Sequence, residues 1–425
     1  MIGEKKAVVF TLGCKVNDVE SGSIIRALEE MGLSVSRELG FADIFVFNTC
    51  AVTAEAERKS RQAIGKAFKY NPQAKVVVCG CASQKSPNDF FEKDDRVAFV
   101  TGAAKKGGVI QAVERLLGGD IREKDLPVFE KEYEELPMPK CLKTRNFVKI
   151  QDGCNRFCSY CVIPYLRGRS RSRELESAAK EILSSTAEET VVTGIDISDY
   201  KDSKGRDLAD LLNAVKDAHT RIRLGSLEVS AVTERLLTAA KGVRSFAPQF
   251  HLSLQSGSNA VLRSMNRHYT REEYLEKCKM IYSAFENASI TTDIIVGFPT
   301  ETEEDHALTL SIIEEAGFSQ IHAFPYSPRE GTNAFKRYKE LPSSVKKERL
   351  EAVLKKGAEQ KKKYALSMVG KTLEIVPERY ENGCTEGYSE NYIRVYAQGK
   401  TGTGIMKVRV TGLVQDGVSA VIEKE

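Results

Sequence analysis

The chain has 425 residues, of which 41% are hydrophobic and 29% charged, with a formal net charge of +4. That length exceeds one ordinary core and points to several domains, and the balance excludes disordered and collagen-like classes. No apolar run approaches the roughly 20 residues of a membrane-spanning helix, and the opening MIGEKKAVVF leads into a strand pattern rather than a signal segment, so a cytoplasmic location without a membrane partner is expected. In a reducing compartment, ten cysteines read better as metal ligands or catalytic thiols than as disulfides.

From residue 5 to about 118, β-branched runs alternate with amphipathic stretches. Strands are predicted at 7–12, 42–48, 75–79 and 96–100, and helices at 17–32 and 52–70, which is the pattern of an open, doubly wound parallel α/β domain. The loops after its first three strands carry Cys14, Cys50 and Cys81. Ligands of such folds collect at that carboxyl edge, so three cysteines distant in sequence are expected to converge there.

Residues 119–144 are charged, carry three prolines and lack an apolar periodicity, and they read as a linker. Six strand-like runs follow, at 146–150, 190–194, 223–229, 250–255, 290–298 and 320–326, separated by helical stretches. Six βα units predict an incomplete (β/α)6 barrel spanning 145–368. Cys154, Thr193, Gly194, Glu228, Gln255, Asp293 and Gly297 fall at its strand ends, where barrels place their chemistry. A lysine-rich helix at about 343–368 leads into short strands over 369–425, a small all-β barrel.

Basic residues cluster locally. The stretch 165–173 holds Arg167, Arg169, Arg171 and Arg173, and 346–371 holds nine Lys/Arg against three Glu. Such runs fit a solvated face or a phosphate-binding surface equally well. The tail from 371 has seven Lys/Arg against eight Asp/Glu, so RNA contacts there would have to be local, with Tyr392, Arg394, Lys407 and Arg409 as candidates.

Cys154, Cys158 and Cys161 stand as Cys-x3-Cys-x2-Cys just after the first barrel strand. Three thiolates in one loop can ligate three irons of a 4Fe-4S cube and leave the fourth iron open. A zinc site completed by Cys141 is the competing use of the same residues. Tyr160 is the expected aromatic neighbour of the loop; Cys79, Cys141, Cys278 and Cys384 read as ordinary thiols, and His251, on an apolar strand, as a core histidine.

The segment CNRFCSYCVIP, with PYLRGRSRSR beside it, resembles the core of radical S-adenosylmethionine enzymes, specifically the methylthiotransferases. The resemblance runs through nearly the whole chain: TLGCKVN (11–17), FNTCAVT (47–53) and GCASQ (80–84) resemble the family's N-terminal motifs. TGIDISDY, RLGSLE, LSLQSGS, DIIVGFPTET and FPYSPREGT resemble its barrel motifs, and the tail resembles its RNA-binding TRAM domain.

This resemblance implies two 4Fe-4S clusters, a radical one on Cys154, Cys158 and Cys161 and an auxiliary one on Cys14, Cys50 and Cys81. S-adenosylmethionine is implied as both methyl donor and radical source, chelated at the open iron, with Tyr160, Thr193, Gly194, Glu228, Gln255, Asp293 and Gly297 as its contacts. Implied partners are a tRNA anticodon stem-loop, a flavodoxin- or ferredoxin-type electron donor and a sulfur source. The Lys15-Val16 pair after Cys14 resembles the subgroup acting at C2 of threonylcarbamoyladenosine at tRNA position 37. Other subgroups act on an isopentenyl-modified adenosine or a ribosomal-protein aspartate. A non-catalytic, metal-containing RNA-binding protein is the reading from a different class.

Overall fold

In the computed structural model, the described residues are 5–51, 54–126, 129, 131–139, 144–400, 402, 404–414 and 416–423. They form two compact units, one comprising Met1–Lys140, Lys149–Asn155 and Cys161–Glu174, the other Cys141–Val148, Arg156–Tyr160 and Leu175–Glu425.

The first unit is built on β1 (Lys6–Thr11), β2 (Ser34–Ser36), β3 (Ile44–Thr49), β4 (Lys75–Gly80), β5 (Val97–Thr101) and β6 (Glu123–Asp125), paired in parallel in the order β2-β1-β3-β4-β5-β6. Every residue of β3 and β5 is buried, as a sheet covered on both faces requires. Val8, Phe45, Phe47, Val76, Val78 and Val100 join one core and Ala7, Val9, Val46, Val77 and Phe99 the other, the period-two alternation of a doubly wound sheet. The flanking helices include Lys15–Glu30, Ala54–Tyr70 and Gly107–Gly118.

One expectation changes here. The stretch 119–144, read as a linker, contributes β6, which pairs with β5 through Phe99 and Glu123. Pairing to an open sheet edge uses main-chain groups, so it leaves no apolar periodicity to read. Val52 and Thr53 of the second cysteine motif, and Cys141, lie outside the described residues.

The barrel begins with β7 (Arg145–Asp152), whose end pairs antiparallel with β8 (Arg171–Ser172). In the second unit β9 (Glu189–Gly194) and β10 (Arg221–Leu224) pair in parallel, as do β11 (Ser226–Leu227), β12 (Gln249–Leu252), β13 (Ser289–Val296) and β14 (Gln320–Pro325) in that order. The single strand predicted over 223–229 is thus two. Gly225 N donates to Val192 O, and Ser226–Leu227 then changes partner to β12. The helix Ser343–Leu366 leads to β15 (Thr372–Glu381), β16 (Cys384–Ser389), β17 (Arg394–Gln398), β18 (Met406–Val414) and β19 (Gly417–Ile422), a closed barrel filled by Leu373, Ile375, Val395, Val408, Val410 and Val418.

Glu189, fully buried at the start of β9, ties these parts of the second unit together. It receives Arg145, Arg221 and Arg223, while Arg221 also donates to Glu374 O and Arg223 to Ser389 O and Glu390 O. Burial works against its charge, but Arg223, Arg221 and Arg145 hold its carboxyl down at about 2.

Candidate functional site

Cys14, Cys50 and Cys81 follow the ends of three adjacent strands. Cys14 caps the helix after β1, Cys50 follows Thr49 of β3, and Cys81 opens a short helix after Gly80 of β4. Two glycines permit the approach. At Gly13 (φ +109°) a Cβ would stand 2.8 Å from Cys50 Sγ, and at Gly80 (φ +108°) it would stand 2.3 Å from Thr49 O, so neither place accepts a side chain. Cys14 also bears electrostatically on Cys81. Cys14 is exposed and Cys50 and Cys81 are buried.

Behind this trio lies an ion network that was not legible in the sequence. Arg167, 1% exposed, donates to Glu20 at 2.9 Å, to Asp152 at 3.0 Å and to Asn17 at 2.6 Å. Lys149 bridges the same two carboxylates at 2.7 and 2.8 Å, Arg171 reaches Asp152 at 3.2 Å, and Lys106 lies 3.7 Å from Glu20 while donating to Asn48. Burial opposes ionisation of Glu20, yet Arg167, Lys149 and Lys106 bring its pKa down to about 2, and Asp152 is lowered likewise by Lys149, Arg167 and Arg171. Among the described residues of the network, two carboxylates face four cations.

Burial raises the Cys81 thiol, and Arg167 followed by Lys106 draws it back toward the thiolate. Arg167 Nε is buried without a hydrogen-bond partner. A surplus of buried positive charge, an orphaned N–H and three sulfur donors fit an anionic thiolate-ligated cluster.

The second set occupies the loop after β7. Cys154 N donates to Gly168 O, and Ile163 N donates to Cys161 Sγ at 3.4 Å. In the second unit Ser159 N and Oγ donate to Met265 O and Ser264 O at 2.9 and 2.8 Å, and Asn266 donates to Arg156 O and Phe157 O at 3.2 and 3.0 Å. These bonds hold Phe157 at φ 48°, a left-handed conformation that a bulky residue adopts only under constraint. Arg267 donates to Cys158 Sγ at 3.4 Å. Sulfur ligands with N–H donors aimed at them suit an iron–sulfur cluster. Tyr160 packs with Val261, Met265, Phe298 and Tyr326.

Thr193 and Gly194 end β9, and Glu228, 7% exposed, caps the turn Val229–Ala231 through Ser230 N. Arg156 and Arg267 approach the Glu228 carboxylate at 3.6 and 3.8 Å, and Arg156 also pairs with Asp196 at 2.8 Å. Gln255 takes φ 69° and pairs with the strand beside Asp293 through backbone bonds to Asp293 O and Ile295 N. Gly297 N donates to Glu301, itself held by Arg349 at 2.8 Å.

His251, expected in the core, lies only half-buried and bonded on both ring nitrogens, to Thr291 Oγ1 at 3.0 Å and Asp293 Oδ2 at 3.2 Å. Strand alternation puts it on the face of β12 opposite the buried Phe250 and Leu252, beside Asp293.

The expected RNA-facing arginines need correction. Arg167, Arg171 and Arg173 are 1%, 7% and 5% exposed, the first two in the network above and Arg173 paired with Glu135; of the four arginines, Arg169 is the exposed one. Carboxylates supplied by distant segments draw these guanidinium groups inward. On the C-terminal barrel Lys407 is exposed, Arg409 pairs with Glu423 at 2.6 Å, and Arg394 is engaged by Glu386 and Asp416. Tyr392 stacks on Tyr388 at 4.8 Å with Arg223 over its ring. Cys79 is buried in β4, Cys278 is pushed up to about 12 by burial, and Cys384 opens β16.

Residues 6–102 match the uncharacterized protein family UPF0004, and residues 148–312 match the radical SAM superfamily. The radical S-adenosylmethionine methyltransferase TsrM of Kitasatospora setae, solved with cobalamin and a 4Fe-4S cluster, superposes with TM-score 0.55 at 14% identity over 76% of this chain and 77% of that one, a likeness of fold. The class is therefore a radical SAM barrel carrying an added N-terminal parallel α/β domain and a C-terminal β-barrel that fits a TRAM domain.

The chain is 34% identical to the threonylcarbamoyladenosine tRNA methylthiotransferase MtaB of Thermotoga maritima over 97% of this chain and 96% of that protein, and 35% identical to that of Bacillus subtilis over 92% and 89%. It is 36% identical to the tRNA-2-methylthio-N(6)-dimethylallyladenosine synthase of Thermosipho africanus over 90% of each. The chain belongs to the radical SAM tRNA methylthiotransferase family.

Proposed function

We propose that this chain inserts a methylthio group at C2 of N6-threonylcarbamoyladenosine at position 37 of tRNA, using S-adenosylmethionine and two 4Fe-4S clusters. The observation that carries the reaction class is the pair of cysteine sets, Cys14, Cys50 and Cys81 at one sheet edge and Cys154, Cys158 and Cys161 in one loop. When bound, the loop cluster and S-adenosylmethionine supply one-electron cleavage of a sulfonium bond and the auxiliary cluster holds sulfur.

The chain's own part is positioning. Asn266 and Ser159 fix the loop backbone, Glu228 is held between Arg156 and Arg267 at a strand end, and His251 orients the Asp293 carboxylate. In this reading Tyr160, Thr193, Gly194, Glu228, Gln255, Asp293 and Gly297 contact the cofactor. Residues 1–118, 145–368 and 369–425 are the auxiliary-cluster, barrel and RNA-binding modules, and Arg169, Lys407 and Arg409 face the tRNA. An electron donor and a sulfur source in the cytoplasm complete it. Among the described residues no helix is long and apolar enough to cross a membrane.

The choice of substrate is supported by Lys15 and Val16, directly after Cys14 at the start of a helix, and by the MtaB relatives. Dimethylallyladenosine synthases share 35–36% identity with the chain, so nucleoside mass spectrometry of cells with and without the gene is the test. Loss of methylthio-threonylcarbamoyladenosine alone is expected. Loss of the methylthio-isopentenyl nucleoside instead would reassign the substrate, and no change in either would remove the tRNA reading.

A further inference from the structure

A guanidinium kept from water is ordinarily hydrogen-bonded to a carboxylate, whereas Arg267 is only loosely paired with one. Its side chain is 8% exposed, yet the nearest carboxylate, on Glu228, stands 3.8 Å away. Its NH1 donates instead to Cys158 Sγ at 3.4 Å, its NH2 to Ser253 O at 3.3 Å and its Nε to Tyr269 Oη at 3.2 Å. Tyr269 Oη lies 2.8 and 2.6 Å from Ser253 O and Leu254 O, its one O–H shared between these carbonyls, which leaves its oxygen to accept from Arg267. The guanidinium plane is therefore fixed on three sides with one edge on the sulfur.

The residues before it clamp the same loop: Ser264 O and Met265 O accept from Ser159, and Asn266 donates to the carbonyls on the amino side of Cys158. The segment 264–267 thus fixes both the backbone and the sulfur of the middle cysteine.

Hydrogen bonds to ligand sulfur, above all from a charged donor in a low-dielectric site, disperse negative charge and favour the reduced cluster, which carries one electron more. We infer that Arg267 is a positioning and tuning residue for Cys158, one that makes the loop cluster easier to reduce by a single electron from a low-potential donor. The inference rests on the reading that Cys154, Cys158 and Cys161 hold that cluster. Arg267 acts on the potential through Cys158, beside its looser pairing with Glu228 at 3.8 Å.

The test uses the full reconstituted chain, followed by electron paramagnetic resonance during a redox titration. The loop cluster is identified as the one whose reduced spectrum changes when S-adenosylmethionine is added. Arg267→Gln is expected to shift its midpoint to more negative potential and Arg267→Lys to shift it less, with the other cluster unmoved. Deoxyadenosine formation under dithionite is expected to fall in Arg267→Gln and to recover with the stronger reductant titanium(III) citrate, a rescue that a merely structural defect would not show.

An unchanged midpoint in Arg267→Gln with its iron retained would overturn the inference, as would a rate loss that titanium does not restore. If Arg267→Gln fails to hold iron, Arg267→Lys decides alone, a lowered midpoint supporting the role and an equal one refuting it. A wild-type chain with no spectrum responsive to S-adenosylmethionine would instead refute the cluster assignment itself.

Discussion

The two cysteine sets are built by opposite means. Cys154, Cys158 and Cys161 come from one loop, close together in sequence, and the distant segment 264–267 clamps its backbone through Ser159 and Asn266. Cys14, Cys50 and Cys81 come from the ends of β1, β3 and β4 and exist as a set only when the sheet is folded and the Glu20–Arg167 network behind it is closed. The loop set keeps its cysteines adjacent in sequence and is clamped by a different segment from the one behind the trio, so the two sets are expected to differ in their sensitivity to loss of the Glu20–Arg167 network.

The largest expected contrast comes from removing one member of the network. Glu20→Ala leaves Asp152 as the one carboxylate of this network facing Arg167, Lys149, Arg171 and Lys106, adds to the buried surplus of positive charge and is expected to cost about 3–5 kcal/mol, read by urea unfolding. Iron is lost from the trio before the loop; equal loss from both would break the contrast.

Acid acts on the same element. Glu20 has its pKa lowered from 4.5 to about 2, so its contribution to stability is fully present above the ordinary carboxylate range and is lost as pH falls from about 4.5 toward 2. Unfolding midpoints across that window are expected to drop more steeply for the wild type than for Glu20→Gln.

A smaller effect is expected at the loop. Asn266→Ala removes two hydrogen bonds that hold Phe157 at positive φ, at a cost of about 1–3 kcal/mol. Faster chelator-driven loss of iron from the loop cluster alone is the predicted sign. Smallest of all is Arg409→Ala, which removes a half-exposed charge paired with Glu423. It is expected to change stability by less than about 1 kcal/mol, while weakening tRNA binding and lowering its salt dependence in a filter-binding titration.

The same contrast governs what could be read from the sequence. Spacing alone exposed the loop set, and strand periodicity placed Cys14, Cys50 and Cys81 at one edge because burial on both faces of β3 and β5 leaves unbroken apolar runs. Arg167 could not be read: its partner Glu20 lies 147 residues earlier, and no local pattern marks which arginine in a basic run meets a carboxylate from another segment. Arg267 and Asn266 act through geometry with a loop more than a hundred residues away, and β6 through main-chain pairing, neither of which composition encodes. His251 was legible as a strand residue but not as a partner of Asp293, since that needs the register of β12 on β13.

The most direct measurement of the division between the two sets is made on the chain with Cys14, Cys50 and Cys81 all changed to Ala, reconstituted anaerobically with iron and sulfide. Such a division predicts about four retained irons, continued formation of deoxyadenosine from S-adenosylmethionine and no methylthiolated nucleoside from tRNA. Methylthiolation at the wild-type level would contradict it.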